Sequence, residues 1–322
     1  MSTKQAWIGF WLLGLIWGSS FLFIRIAVEQ LPPFEVVFIR TAIAAVGLTI
    51  VVYARGKKMP TDWNSLRPLI MLGIFNTVFP FALITWGEQS IDSGLASVLQ
   101  ATAALFTLVI AHFTFADEHI TPRKIGGLIV GFLGVVILSS LSWKDGQIVT
   151  GSLAGQLAIV AASFFYGFGG VYSRKVVSGR IDPFVTAAGA MTTAAVITGI
   201  MMLLAPYFGG QAPVAPADMH SNVLFAAVTL GLFNTWIAYM IFYPIIPILG
   251  AARTSMVTYI VPAVGLTLGA VFLKEIVDIR LLIGAALIIG GIAIVNLRVV
   301  DLVKGLVRKN DAQPVEAKDA AH

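Results

Sequence analysis

The residues with the most chemistry to offer are two asparagines. Asn76 and Asn234 sit in the same six-residue phrase, Leu-Gly-x-Phe-Asn-Thr, at 72–77 and again at 230–235, 158 positions later. Each phrase lies inside a long apolar run. An amide placed there costs several kcal/mol unless its donors and acceptor find partners. A hydrogen bond between helices would satisfy it, at about 0.6 kcal/mol on average. So would the wall of a cavity, where the amide meets a polar solute. The duplication suits both readings.

Other polar and aromatic positions also recur in pairs. Trp17 matches Tyr166, and both lie deeper in their runs than an interfacial anchor would. Each serves either core packing or stacking on a solute. Gln100 and Thr102 match Thr258 and Tyr259. Ser19 and Ser20 follow Trp17, where hydroxyls satisfy carbonyls or allow close helix approach. Tyr239 and Tyr243, one turn apart, form a single stripe. With Ser20 for the serine pair and Tyr239 for the stripe, these residues and the two asparagines make the candidate substrate site. Trp86, near the end of its run, reads as an interfacial belt residue.

Charges inside the runs are few. Arg25 and Arg174 lie near run ends, where snorkelling accounts for them. Arg40 is about two turns inside its run, and Ala190 stands at the matched position. Its expected counter-charge is Glu35 or Glu88, in a fixed structural pair. Arg253 opens a run and is the cation placed to read a substrate carboxylate, with snorkelling as the default. No acid lies mid-run, so no buried carboxylate relay is evident. Proton coupling would fall to Glu35, Glu88 or His112.

The scaffold that must hold these groups is set by composition. The chain has 322 residues, of which 58% are hydrophobic and 11% charged. Soluble domains carry about 25% charged residues. A mean hydropathy of +0.90 therefore points to the membrane class. Cys is absent, which excludes disulfides, thiolate nucleophiles and Cys-based metal sites. The four His show no H-x-x-x-H spacing, and no metal or cofactor is expected. A net charge of +5 reads as cytoplasmic loops, with no nucleic-acid partner implied. The first apolar run lacks a cleavage site and reads as a retained span.

A helical span needs about 20 apolar residues. Runs of that length fall near 6–28, 34–54, 67–88, 91–115, 124–141, 151–175, 183–206, 222–246, 249–273 and 280–298. The expectation is an all-α integral membrane protein with ten transmembrane helices. Arg55, Lys57, Lys58 and Arg67 mark one cytoplasmic connection, and Arg123 with Lys124 another. Arg174, Lys175 and Arg180 mark a third, and both termini then lie in the cytoplasm. The connection with Lys274, Glu275, Asp278 and Arg280 falls outside on this scheme, with charges that nearly cancel.

The repeat extends well past the opening phrase. Trp17 to Arg25 aligns with Tyr166 to Arg174, and Pro33-Phe34 with Pro183-Phe184. Glu118, Arg123, Gly127 and Gly134 align in order with Glu275, Arg280, Gly284 and Gly291. Five spans per copy is an odd number, so the copies enter the membrane in opposite senses. That inverted arrangement places a working site between the copies, around a central cavity. The organisation is a first five-helix repeat over 1–141, an external linker at 142–150, a second repeat over 151–298 and a basic cytoplasmic tail at 299–322. Gly127, Gly131 and Gly134, with Gly284, Gly290 and Gly291, make spans five and ten packing or dimer helices, and a homodimer through them is one reading.

Trp17-Gly18-Ser19-Ser20-Phe21 resembles the W-G-S-N/S-F signature of EamA-domain proteins in the drug/metabolite transporter superfamily. Phe38-Ile39-Arg40 resembles that family's second span, and Glu118 and Glu275 its repeat ends. The resemblance covers about residues 6–298. It implies a ten-helix metabolite exporter of the bacterial cytoplasmic membrane, with spans one, three, four, six, eight and nine around the cavity. Ala104 stands where the family often has Pro, whereas Pro262 is kept, so the two halves are expected to bend unequally.

The expected function is a secondary transporter that exports small neutral or zwitterionic solutes, amino acids or related metabolites, across the bilayer. A strongly anionic cargo would demand buried cations, and only Arg253 is placed to serve. A lipid-type flippase and a passive facilitator are the alternatives. No nucleophile with its base, paired carboxylates or H-E-x-x-H is present, so no enzyme is expected.

Overall fold

Helices occupy nearly the whole of the computed structural model, which describes residues 1–116, 118–139, 142–144, 147–149, 152–177, 179–250, 253–254 and 256–296. The first half contributes α1 (Thr3–Ala27), α2 (Pro33–Ala54), α3 (Trp63–Gly87), α4 (Ser93–Thr114) and α5 (Pro122–Ser139). The second contributes α6 (Leu153–Val177), α7 (Pro183–Leu204), α8 (Ser221–Leu249), α9 (Met256–Phe272) and α10 (Ile279–Asn296). Among the described residues, seven helices are long and apolar enough to cross a membrane: α1 to α4 and α6 to α8. The outer faces are apolar, with Val46, Ile50, Val136 and Leu203 each at least 60% exposed. A helix that stays apolar on its exposed face suits lipid.

The helix ends follow local chemistry. Ser2 and Gln5 form a capping box at α1, and Asp182 accepts from the Phe184 and Val185 N–H groups at α7. Pro33 and Pro183 start α2 and α7, where their missing N–H is harmless. Gly250 ends α8 at φ +81, a conformation L side chains resist.

The packing crosses between the halves. The first helix of each half leans on the other half: α1 packs on α8 and α9, and α6 packs on α3 and α4. Like elements also meet, as α2 with α7, α4 with α9 and α5 with α10. Small residues permit the last pair. A Cβ on Gly127 would lie 2.7 Å from the Gly291 carbonyl oxygen, and one on Gly134 would lie 2.8 Å from that of Gly284.

Two features depart from the sequence reading. A short antiparallel hairpin pairs Ser142–Lys144 with Gln147–Val149, inside the stretch expected to be a plain linker. The loss of Pro at Ala104 does not remove the break in α4. The helix is interrupted at Ala101 and Thr102, just as a 3₁₀ turn at Met256–Tyr259 precedes Pro262 in α9. The interruption is therefore carried by the turn itself, where Thr102 N–H and Oγ1 both donate to the Leu99 carbonyl. The tail expected at 299–322 lies outside the described residues.

Candidate substrate site

Both asparagine phrases distort their helices in the same way. Ile74–Val78 in α3 and Leu232–Ile237 in α8 form π turns. Such turns are rare and frequent at functional sites, because they shift the hydrogen-bond ladder and free carbonyls. In α3 the cause is next in the sequence: Pro80 has no N–H to return to the ladder. In α8 the Thr235 hydroxyl fills the gap by donating to the Leu230 carbonyl at 2.9 Å.

Each asparagine meets the first helix of the other half. Asn234 is buried, and its Nδ2 donates to the Ile16 carbonyl and to Ser19 Oγ of α1. Its Oδ1 is buried without a partner. Asn76 is half-buried against Gly169 of α6, where a Cβ would lie 2.5 Å from the Asn76 Oδ1. The glycines of the phrase repeat the pattern. A Cβ on Gly73 would lie 2.8 Å from the Ala190 carbonyl of α7, and one on Gly231 would lie 3.1 Å from the Arg40 carbonyl of α2.

Arg40 occupies the middle of the second of these contacts. Its Nε donates to Thr235 Oγ1 at 2.9 Å, and its guanidinium lies 4.0 Å above the Phe81 ring centroid. Tyr166 of α6 is edge-on to the same Phe81, with centroids 6.5 Å apart. Tyr239 of α8 stacks on Tyr243 at 5.5 Å. Tyr166, Tyr239 and Glu88 are the groups within electrostatic reach of Arg40. The expected pairing of Arg40 with Glu35 or Glu88 is not what forms. The Glu35 carboxylate accepts from the Val214 N–H, and both Glu88 carboxylate oxygens are buried with no hydrogen-bond partner. Thr235 and the Phe81 ring hold the guanidinium instead. Nor does Arg25 snorkel freely, because its Nη1 donates to the Glu88 carbonyl at 2.5 Å.

The remaining candidates distribute as follows. Trp17 is half-buried and tilted against Phe242, at 5.4 Å between centroids. Ser20 is buried, and its hydroxyl has no partner. Thr102 is fully buried and bonded to its own helix, while Gln100 is half-buried beside it. Thr258 is exposed, and Tyr259 is half-buried on the 3₁₀ turn of α9. The structure thus brings Tyr166 and Tyr239 together around Arg40, and it joins Asn234 to the helix of Trp17 and Ser20. A separate recess of about 190 Å³ opens at the ends of α4 and α6, beside the Glu118–Arg174 ion pair at 2.7 Å. Arg253 is exposed. Among the described residues, no cluster could hold a metal ion.

The EamA-like transporter family profile matches the chain twice, over residues 5–140 and 153–297. The chain belongs to this family. A protein of Archaeoglobus fulgidus named as an uncharacterized transporter is 30% identical, over 90% of this chain and 98% of its own. The inner membrane transporter YedA of Escherichia coli K12 is 29% identical, over 80% and 79%. A probable amino-acid metabolite efflux pump of Salmonella typhimurium is 24% identical, over 91% and 95%. One crystal structure superposes with a TM-score of 0.61 at 20% identity, covering 97% of this chain and 100% of the other, which speaks for the fold. The protein is a membrane transporter of the EamA family and crosses the bilayer several times.

Sequence reasoning passed over two residues of this transporter's central cluster and gave a third the wrong partner. Thr235 stood inside the repeated phrase itself, next to the asparagine that drew attention. Phe81 carried no signal beyond being apolar. Arg40 was visible as a charge in an apolar run, but its bonding partner comes from 195 positions away.

Proposed function

We propose that this transporter exports small neutral or zwitterionic organic solutes, amino acids or related metabolites, by alternating access. In this reading ten helices cross the cytoplasmic membrane of a bacterium as two inverted repeats, 1–141 and 151–298, with both termini in the cytoplasm. One observation carries the reading. Both repeated phrases open into π turns, and each turn faces the first helix of the opposite half. A site shared between the halves is what alternating access requires, because each half can then cover it in turn. Several further facts support it. The reciprocal packing of α1 on α8 and α9, and of α6 on α3 and α4, suits a two-fold relation. The groups around the cluster are aromatic and neutral polar, apart from Arg40 and Glu88. The efflux pump name of the Salmonella relative points to amino-acid metabolites.

The test is counterflow of labelled amino acids into proteoliposomes. Asn76→Leu and Asn234→Leu should each abolish flux while the protein still elutes as a folded species in detergent. Wild-type flux in both variants would sink the site.

A further inference from the structure

Among the described residues, Arg40 is a buried cation with no carboxylate bonded to it. It is 9% exposed, and only its Nε is bonded, to Thr235. Among the described residues, no carboxylate pairs with it, and Nη1 and Nη2 have no hydrogen-bond partner. The groups that face it are Tyr166 from α6, Tyr239 from α8 and Glu88 just past the end of α3. The two phenols are neutral at physiological pH. Glu88 is fully buried, and that burial, reinforced by the nearby Glu275, pushes its carboxyl well above the usual carboxylate range, against the pull of Arg25 and Arg40. Neither Glu88 carboxylate oxygen accepts from the guanidinium. Glu35 is turned toward Val214.

A largely buried guanidinium with no carboxylate bonded to it is costly, and the cost is relieved when an anion arrives. The geometry is ready for one. Thr235 fixes one edge of the guanidinium, Phe81 covers a face, and the edge bearing Nη1 and Nη2 is left over. A planar guanidinium edge matches a carboxylate with two parallel hydrogen bonds. The matched position of the other half holds Ala190, so the site offers one such cation.

We propose that Arg40 is the substrate-binding residue for a carboxylate, and that the cargo is a small organic molecule with a single carboxylate, such as a zwitterionic amino acid. Thr235 positions the guanidinium. This rests on the transporter reading above and sharpens it. It moves the cation that reads the cargo from Arg253, which is exposed, to Arg40, which sits where the halves meet. A phosphate or a dicarboxylate would bring more charge than one guanidinium balances.

The experiment uses the purified full chain in detergent. The probes are L-leucine, L-phenylalanine and L-glutamine, each beside its C-terminal carboxamide. The acids should raise the unfolding temperature of the wild type at millimolar concentration, and the amides should raise it less. Arg40→Gln should erase that difference, and Arg40→Lys should keep part of it. Arg40→Met without ligand should unfold at the wild-type temperature or above, because it removes an unpaired charge. Equal shifts from acid and amide, no acid-dependent shift in the wild type, or a preserved preference in Arg40→Gln would each overturn the proposal. So would a marked fall in the ligand-free unfolding temperature of both Arg40→Met and Arg40→Gln, which would make Arg40 a structural residue. Counterflow of the same labelled amino acid separates the two readings. Acid-selective binding without flux would remove the transporter reading and leave the carboxylate site. Equal flux of acid and amide would do the reverse.

Discussion

In the first copy of the repeated phrase, Asn76 lies half-buried against Gly169, and the buried Thr77 hydroxyl has no partner. In the second copy, Asn234 is buried and tied to Ile16 and Ser19, while Thr235 donates to Leu230 and accepts from Arg40. The backbone is the same in both, a π turn preceded by a glycine pressed on a carbonyl of a neighbouring helix. That carbonyl belongs to Ala190 in one case and to Arg40 in the other. The two positions are equivalent in packing and opposite in chemistry. The matched frame therefore carries a charge on one side only, because Arg40 stands where the other side has Ala190. The bonded threonine and asparagine cluster on the charged side.

The shared frame is the part most easily broken. Gly73→Leu and Gly231→Leu both drive a side chain into a filled contact. The new Cβ would lie 2.7 Å from Thr193 Cβ in one and 2.7 Å from Ile43 Cβ in the other. Overpacking of this kind costs about 1–3 kcal/mol or more. Both variants should lose most of the monodisperse protein on size-exclusion chromatography. If only one did, the two contacts would not be equivalent.

The threonines then test the difference. Thr235→Val leaves the Arg40 Nε unbonded in a buried place and should cost about 1–3 kcal/mol. Thr77→Val removes a hydroxyl that already lacks a partner, so it should be neutral or stabilising. Unfolding temperatures in one detergent, ranked for the pair, check this. Equal losses would show that Arg40 does not set the two copies apart.

Much of this frame was legible in the sequence. Apolar length is dictated by bilayer thickness, so helix positions followed from hydropathy to within a few residues, and Arg253 and Thr254 are already helical ahead of the 3₁₀ turn at Met256. The glycines of α5 and α10 announced a close contact, and these helices do pack on each other. The π turns were not legible. Pro80 hints at one, but nothing comparable follows Asn234 at that spacing, and the second turn depends on a hydroxyl filling the ladder. The hairpin was missed because its runs are three residues each, although Asp145-Gly146 between them is a pair that favours tight turns. The surroundings of Arg40 were misjudged for a physical reason. A lone charge was assumed to pair with an acid at the outer face, Glu35 or Glu88. Tertiary packing brought a hydroxyl and an aromatic face instead.

The smallest effect lies at the ends of the two helices that carry the phrases. α3 is followed by Glu88, fully buried, whereas α8 runs out through Ile245, Ile246, Ile248 and Leu249. Burial raises the Glu88 carboxyl above its ordinary value of 4.5, Glu275 adds to the rise, and Arg25 and Arg40 oppose it. The folded state then holds this proton more tightly than the unfolded chain. Its contribution to stability is fully present below the unfolded value and is lost as pH rises through the folded value. The wild-type unfolding temperature should therefore decline as pH rises above the ordinary carboxylate range. Glu88→Gln cannot ionise and should show a flatter profile over the same window, with little change at the acid end. Parallel profiles would mean that Glu88 already holds its charge in the folded protein. It would then balance Arg40 after all, and the charged side of the comparison would lose its unpaired cation.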